Sequence, residues 1–375
     1  MRPGRKSAIA ILVLLFAILF AESYLRMFGS RLFGDRGRSY VHRPWRIRVA
    51  QGVPFRTNGW GLRGEDFTPR ALRIVAFGGS ATESSDLPEE ATWPGRVEHH
   101  LNDRFGARLG QVANAGSAGL ASPHYVAQVE ELARLIGLDV AILYTGLNDT
   151  DRLARHGRIL RVGRLGDPSY REAMFQAFIA PDPARLAAMG DSILDRSYLV
   201  LFLRAFTEKS LVQPLRNRLE DLIPGRRLRD KRARLRASPS LGAVLARARA
   251  DYGNNLSLML AAARAAGTTP IFMAAPPIDA EPELVALNAA LADFCRERGA
   301  LFIDLASEAP PPGGWYIYGT HHFTREASDR VGARIAAVIA GLLEGDRAAG
   351  RELRRRGRER GLTPARRDDV RWPSG

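Results

Sequence analysis

From residue 73 onward, short apolar runs alternate along the chain with longer amphipathic stretches. Aliphatic and β-branched runs bounded by glycine or polar residues predict buried strands, and five such runs lie at 73–77, 112–114, 139–144, 270–274 and 300–304. Stretches in which apolar residues recur with the period of a helix lie between or after these runs and predict helices at 123–136, 252–266, 283–298 and 325–343. Because strands that alternate with helices form βα units, the pattern predicts a three-layer α/β/α sandwich with a central, mainly parallel sheet over 72–344.

A long interruption separates the third predicted strand from the fourth, where a connection of two to six residues would be usual. It holds helical stretches near 170–178 and 197–207 and an arginine-rich run at 226–234. We interpret 152–245 as a helical insertion that caps the carboxyl ends of the strands. For 224–239 alone, a disordered linker with a solvated charge run is the alternative.

The N-terminus begins with a basic hexapeptide and continues from Ala8 to Ala21 without a polar side chain. This length lies between a secretory hydrophobic region and a minimal spanning helix of roughly 17–25 residues. No small-x-small cleavage site follows, since Leu19 stands three residues before a cut after Ala21. We therefore predict an uncleaved signal anchor, a transmembrane helix within 1–28, followed by a juxtamembrane segment at 29–71. A buried core helix is the alternative.

The basic residues on the two sides of this anchor predict opposite orientations in the membrane. Arg2, Arg5 and Lys6 favour a cytoplasmic N-terminus, whereas seven arginines between 26 and 48 favour the opposite. The positive-inside rule is less strict when a whole folded domain follows the span. We expect the domain to lie outside the cytoplasm.

Composition is that of a globular protein, with 46% hydrophobic and 25% charged residues. The single cysteine, Cys295, excludes an intramolecular disulfide and a cysteine-cluster zinc site. A net charge of +15, carried almost entirely by arginine, favours anionic partners such as lipid headgroups, nucleic acid or acidic polysaccharide. The arginine-rich tail at 345–375 is predicted to be disordered.

Candidate chemistry lies at four points after predicted strands, where open α/β sheets place their active sites. Ser80 follows a glycine pair on a tight turn, and no Gly-Lys-Ser/Thr follows it to indicate a nucleotide-binding loop. Gly116 and Asn148 can each offer a hydrogen-bond donor to an oxyanion. Late in the chain, His321 and His322 precede the last predicted helix. Each feature alone is commonplace, but together they form a set for acyl transfer.

The four points resemble, in order and spacing, the sequence blocks of the SGNH (GDSL-like) hydrolase family: Gly78-Gly79-Ser80, Gly116, Gly146-Leu147-Asn148-Asp149 and His322. The resemblance covers about 72–343 apart from the insertion and implies the flavodoxin-like fold of that family. The segment 57–64 and the pair Trp93-Pro94 also resemble bacterial, membrane-anchored members.

The resemblance implies a role for each matched residue. Ser80 is the nucleophile and His322 its general base, chosen over His321 because Phe323-Thr324 follows it. The oxyanion hole consists of the Ser80 N–H, the Gly116 N–H and the Asn148 amide. His321 and Asp149 are secondary candidates for the site.

Two positions depart from the family pattern. Gly79 stands where many members carry aspartate. Gly319 occupies the position of the aspartate that normally precedes the histidine by three residues, and no carboxylate lies between Trp315 and Thr324. A backbone carbonyl or a distant acid would then orient the histidine, and Asp304 is one candidate substitute. Ser84 and Ser85 are fallback nucleophiles.

These observations predict a membrane-anchored serine hydrolase of the inner membrane that cleaves an acyl or acetyl ester on a small molecule, a cell-envelope glycan or a lipid. The domain would be periplasmic, with arginine-rich segments available to an anionic surface. An O-acyltransferase using the same serine is one alternative. A non-catalytic glycan- or lipid-binding module that has lost its acid is another. We expect no cofactor, no metal and no specific nucleic-acid partner.

Overall fold

The computed structural model describes residues 12–25, 27, 45, 47–50, 52–69, 71–106, 109–165, 197, 199–200, 203, 232–277, 281–317, 321–345 and 348–359. Contacts divide the chain into two compact units, Met1–Ser39 with Arg152–Val244 and Tyr40–Asp151 with Leu245–Gly375. The helical stretch predicted at 170–178, most of that at 197–207 and the arginine-rich run up to 231 lie outside the described residues. The cap over the strands therefore stays a prediction.

Seven strands occur among the described residues of the second unit. A short antiparallel hairpin comes first, made of β1 (Ile47–Ala50) and β2 (Val53–Arg56). The other five strands are all parallel: β3 (Leu72–Phe77), β4 (Gly110–Asn114), β5 (Val140–Tyr144), β6 (Thr269–Ala274) and β7 (Leu301–Asp304). They match the five predicted strands to within two residues at each end, and the predicted parallel sheet of a three-layer fold is confirmed.

The strand order β4-β3-β5-β6-β7 sets the place of a site in this sheet. The chain moves from β3 outward to β4 and then returns past β3 to β5, so successive connections leave in opposite directions. In an open α/β sheet, such a reversal opens a crevice at the carboxyl ends of the two neighbouring strands between which it occurs, here β3 and β5. The loops that follow β3 and β5 therefore flank the crevice, and they carry Ser80 and Asn148.

The main α-helices of the described residues are α1 (12–25), α2 (Ser80–Glu83), α3 (Trp93–Phe105), α4 (Ser122–Leu132), α5 (Leu147–His156), α6 (Leu241–Ala265), α7 (Pro282–Arg298), α8 (Arg325–Glu344) and α9 (Ala348–Glu359). Among them, α4, α7 and α8 agree closely with the predicted helices, whereas α6 begins well before the predicted residue 252. The sequence analysis missed α3, which packs tightly on α8: a Cβ at Gly332 would overlap Arg96.

The N-terminal helix α1 belongs to the first unit and exposes its apolar side chains. Eight large apolar side chains in its first three turns are between 44% and 71% exposed, whereas Leu25 near its end is buried; the eight are Leu12, Val13, Leu14, Leu15, Phe16, Ile18, Leu19 and Phe20. Over the residues that the structure describes, no helix combines the length and the apolar character that a membrane crossing requires. Residues 1–11 of the predicted signal anchor lie outside that part of the chain.

The tail beyond residue 345 is helical where the structure describes it, so the expectation of disorder is wrong for 348–359. Leu353 of α9 is buried in the same hydrophobic cluster as the sheet and α8. Arg354 donates to the Leu342, Leu343 and Gly345 carbonyls, which α8 leaves without intrahelical partners at its end. These contacts are tertiary, which explains why the local composition of the tail did not predict them.

We expect Leu353→Ala to lower the free energy of unfolding by about 2–5 kcal/mol, because it removes buried methyl groups and leaves a cavity. Leu135→Ala is the matched control, since that leucine is 46% exposed, and it should change stability little. Urea denaturation of both variants measures the difference. Equal effects of the two substitutions would contradict the packing of α9 on the core.

Candidate functional site

Ser80 stands at the start of α2, directly after the two glycines that follow β3. Glycine is required at position 78, because a Cβ there would overlap the Thr82 hydroxyl. The Ser80 N–H is the first of the helix and has no acceptor within the described part of the chain. A first-turn N–H lacks an intrahelical partner by geometry. The turn therefore presents a half-buried serine together with an available backbone donor.

Asn148 lies directly against this turn. Its Nδ2 donates to the Leu120 carbonyl at 2.6 Å, and the second hydrogen of the amide remains for another acceptor. A Cβ at Gly79 would overlap the same Nδ2 atom. Many members of the family that the sequence resembles carry aspartate at this position. Here the absence of a side chain at Gly79 leaves the space in which the Asn148 amide packs against the Ser80 turn.

Gly116, the third predicted oxyanion donor, packs against the end of α2. A Cβ there would overlap the backbone nitrogen of Glu83. The Gly116 N–H donates to Asn114 Oδ1 at 2.8 Å, and Asn114 Nδ2 donates to the Thr82 carbonyl at 2.6 Å. An oxyanion would have to share or displace the Asn114 acceptor, because this N–H carries a single hydrogen. The role of Gly116 stays a prediction.

His322 lies beside a carboxylate that the sequence analysis did not identify. Its Nδ1 is 3.4 Å from Asp86 Oδ1, and the two side chains are 21% and 14% exposed. Burial alone would raise the pKa of the Asp86 carboxyl. Polar interactions with the His322 side chain and with the Asp86 backbone outweigh it, together with the charges of His322 and Arg63, so the pKa lies below its ordinary value. Asp86 is thus held as a carboxylate facing the imidazole.

The other candidate residues have structural partners. Asp149 is buried and accepts from the N–H and hydroxyl of Ser122 at the start of α4. Asp304 accepts from the N–H groups of Ala306 and Ser307 in the turn after β7. The structure thus uses these two carboxylates to hold a helix start and a turn.

Of the remaining candidates, the buried hydroxyl of Ser84 donates to the Ala81 carbonyl. The ring of His321 packs edge-on against Tyr316, with centroids 6.5 Å apart. Gly319 lies outside the described residues.

A small pocket opens beside the Ser80 turn. Its volume is about 200 Å³, and it is lined by Gly79, Ala81, Tyr125, Tyr144, Leu147 and Asn148. Most of this wall is apolar, and the Asn148 amide supplies a polar group next to it. Over the described residues, no group of three or more histidine, cysteine, aspartate or glutamate side chains is arranged to hold a metal ion.

Sequence reasoning missed Asp86 and the residue that holds its loop, Arg63. Arg63 is only 1% exposed. Its guanidinium donates to the carbonyls of Glu83 and Ser84, both at 2.8 Å, and of Leu87 at 2.6 Å. The one available signal was the position of Arg63 inside the segment 57–64, which precedes β3. Nothing in the local sequence marks Asp86.

Comparison with known proteins places these features in a family. The profile of the GDSL-like lipase/acylhydrolase family matches residues 76–330. No curated protein sequence matches the chain.

Two solved structures illustrate the likeness in fold. A lipase/acylhydrolase from Enterococcus faecalis is 14% identical, with a TM-score of 0.41, over 74% of this chain and 99% of that one. A carbohydrate acetylesterase from Sinorhizobium meliloti is 14% identical, with a TM-score of 0.38, over 72% of this chain and 99% of that one. Both are too distant to carry an argument about this chain. The family match covers more than half of the sequence, from β3 into α8, and includes Ser80 and His322. The chain therefore belongs to the GDSL-like lipase/acylhydrolase family.

Proposed function

We propose that the protein hydrolyses an ester through an acyl-enzyme on Ser80, with His322 as general base. The observation that carries the proposal is the pair of donors at the β3–β5 crevice. The Ser80 N–H has no acceptor in the described chain, and the Asn148 amide packs against the same turn through the gap that Gly79 leaves. Donors fixed in advance beside a nucleophile stabilise the oxyanion of a tetrahedral intermediate.

In the proposed reaction, Ser80 Oγ attacks the ester carbonyl carbon while His322 Nε2 takes the hydroxyl proton. The carbonyl oxygen becomes an oxyanion held by the Ser80 N–H and the Asn148 amide, and the Gly116 N–H is the third donor when the oxyanion shares or displaces its acceptor, Asn114 Oδ1. The C–O bond then breaks, and the imidazolium returns the proton to the leaving alcohol. Water repeats the sequence on the acyl-enzyme and releases the acid and free Ser80.

The pocket beside Ser80 supports a short acyl group as the substrate. The pocket is shallow and its wall is mostly apolar, so it offers space for a short acyl chain beside the serine turn. We propose an acetyl or similarly short ester, carried by a small molecule, a cell-envelope glycan or a lipid. Acyl transfer to a glycan hydroxyl follows the same first half-reaction, so a glycan acceptor in the assay distinguishes acylated acceptor from free acid.

We also propose that the N-terminal segment attaches the protein to the inner membrane, with the hydrolase domain on the periplasmic side. Apolar side chains on α1 from Leu12 to Phe20 are exposed, and exposed apolar patches of this kind mark lipid or protein contacts. In the second unit, the exposed side chains of Trp45, Ile47 and Val49, each 73–74% exposed, give independent support.

Replacing Ser80 with alanine should abolish covalent labelling by a fluorophosphonate and lower ester turnover at least about a thousandfold, because the nucleophile is lost. His322→Ala should have a similar effect. The measurement is gel-based labelling together with hydrolysis of p-nitrophenyl esters, in which acetate should be preferred to octanoate. Ser85→Ala, which removes a serine hydroxyl from the loop after α2, is the control and should retain both activities. Full turnover in Ser80→Ala would refute the proposal.

A second prediction concerns the gap at Gly79. Gly79→Ala should leave the fold intact, because the overlapping atom is the end of a flexible side chain, but it should displace the Asn148 amide. We expect kcat to fall about 10²–10³-fold, as on loss of one oxyanion donor, and Asn148→Ala to have the same effect. The double variant should be no worse than either single one.

The matched control for this substitution is Gly253→Ala in α6, where a Cβ meets no atom within 4 Å. This variant should keep wild-type kcat. If Gly79→Ala also kept wild-type kcat, the Asn148 amide would not be an oxyanion donor.

Membrane attachment is tested with the full-length chain. Leu15→Arg combined with Leu19→Arg should move the protein from the membrane pellet to the soluble fraction, because charges in an apolar segment oppose insertion. Leu135→Arg, an exposed leucine of the second unit, is the control and should stay in the pellet. Wild-type protein that fractionates as soluble would refute the attachment.

A further inference from the structure

We infer that Asp86 is the positioning residue for His322 and replaces the aspartate that the family normally carries in the histidine loop. The inference rests on the proposed function, since it deepens the account of how the general base is held. It differs from the family pattern in the origin of the acid. Here the carboxylate comes from the loop after the nucleophile helix α2, and Gly319 occupies the usual position.

The carboxylate faces the imidazole nitrogen that the proposed role requires. Asp86 Oδ1 faces Nδ1 of His322, at 3.4 Å. A carboxylate beside Nδ1 keeps the proton on that nitrogen, so Nε2 carries the lone pair that accepts the Ser80 proton. The charge also stabilises the imidazolium that forms after transfer. The separation exceeds the 2.7–3.2 Å of a formed hydrogen bond, as is common in unliganded sites that tighten on binding substrate.

Asp86 Oδ1 has no other hydrogen-bond partner in the described part of the chain. It is buried and lacks a formed hydrogen bond there, and such an oxygen is costly unless it meets a donor. The two acidic candidates predicted from the sequence are occupied: Asp149 accepts from the N–H and hydroxyl of Ser122, and Asp304 holds the turn after β7. Asp86 is the acid that the structure places beside the imidazole Nδ1.

The loop around Asp86 is clamped, which makes it suitable for positioning. Arg63 donates to the carbonyls of Glu83 and Ser84 before Asp86 and to that of Leu87 after it. Ser84 adopts the left-handed conformation, with φ of 43°, and turns the chain at the end of α2. Three bonds from one buried guanidinium therefore hold both sides of the acid, and its positive charge favours the ionised carboxylate.

Asp86→Asn preserves size and removes the charge, so it tests the inference with little disturbance of packing. We expect kcat for a short-chain ester to fall roughly 10²–10⁴-fold with little change in KM, because the wrong tautomer of the base becomes favoured. Asp86→Glu should recover part of the loss. Asp304→Asn is the matched control and should keep wild-type kcat. Wild-type kcat in Asp86→Asn, or a loss confined to Asp304→Asn, would overturn the inference.

A spectroscopic readout separates this inference from the proposed function. An imidazole Nδ1 proton held by a carboxylate gives a far-downfield proton NMR resonance that needs no substrate. We expect it in the wild type and in Ser80→Ala, and we expect it to be lost in His322→Ala and Asp86→Asn. If no ester is turned over but this pattern holds, the hydrolase proposal fails while the pairing stands. A resonance that persists in Asp86→Asn overturns the pairing.

Discussion

The arrangement of the site depends on one buried arginine. The Arg63 guanidinium is almost fully enclosed and donates to three carbonyls between residues 83 and 87. Its backbone exchanges two hydrogen bonds, both of 2.8 Å, with Asn114 at the end of β4. Arg63 thereby ties the segment before β3 to the loop after the nucleophile helix and to the turn that carries Gly116.

The charge and the donor geometry of the guanidinium explain why an arginine suits this buried position. Burial lowers the pKa of the guanidinium, and the charges of Glu89, Glu83, Asp86 and Glu90 oppose that shift. A guanidinium stays charged at any accessible pH and offers several donors in a fixed planar fork. A lysine at this position would carry its three donors on one nitrogen at the end of a flexible stem, whereas the three bonds here come from two nitrogens fixed in one plane.

Close approach at the glycines is the second constraint on the site. Side chains at positions 78, 79 and 116 would each overlap a group of the crevice: the Thr82 hydroxyl, the Asn148 amide and the backbone of Glu83. The aspartate that many family members carry before the serine is therefore incompatible with the position of Asn148 here. Both departures from the family pattern have a physical counterpart, since Gly79 admits the amide and Asp86 faces the histidine that Gly319 leaves without its usual acid.

The sequence by itself determined the sheet, because fully buried parallel strands appear as continuous apolar runs, as in β5 and β6. It also located the serine turn, the second and third blocks and the histidine, since each follows a strand or precedes a helix in a recognisable local pattern. The sequence analysis missed α3 and α9, whose polar composition hides the few residues they bury. Only the tertiary structure decided which acid faces His322 and which residue clamps it. Those partners are far apart in the chain, and the side-chain contacts that join them leave no periodic or local signal.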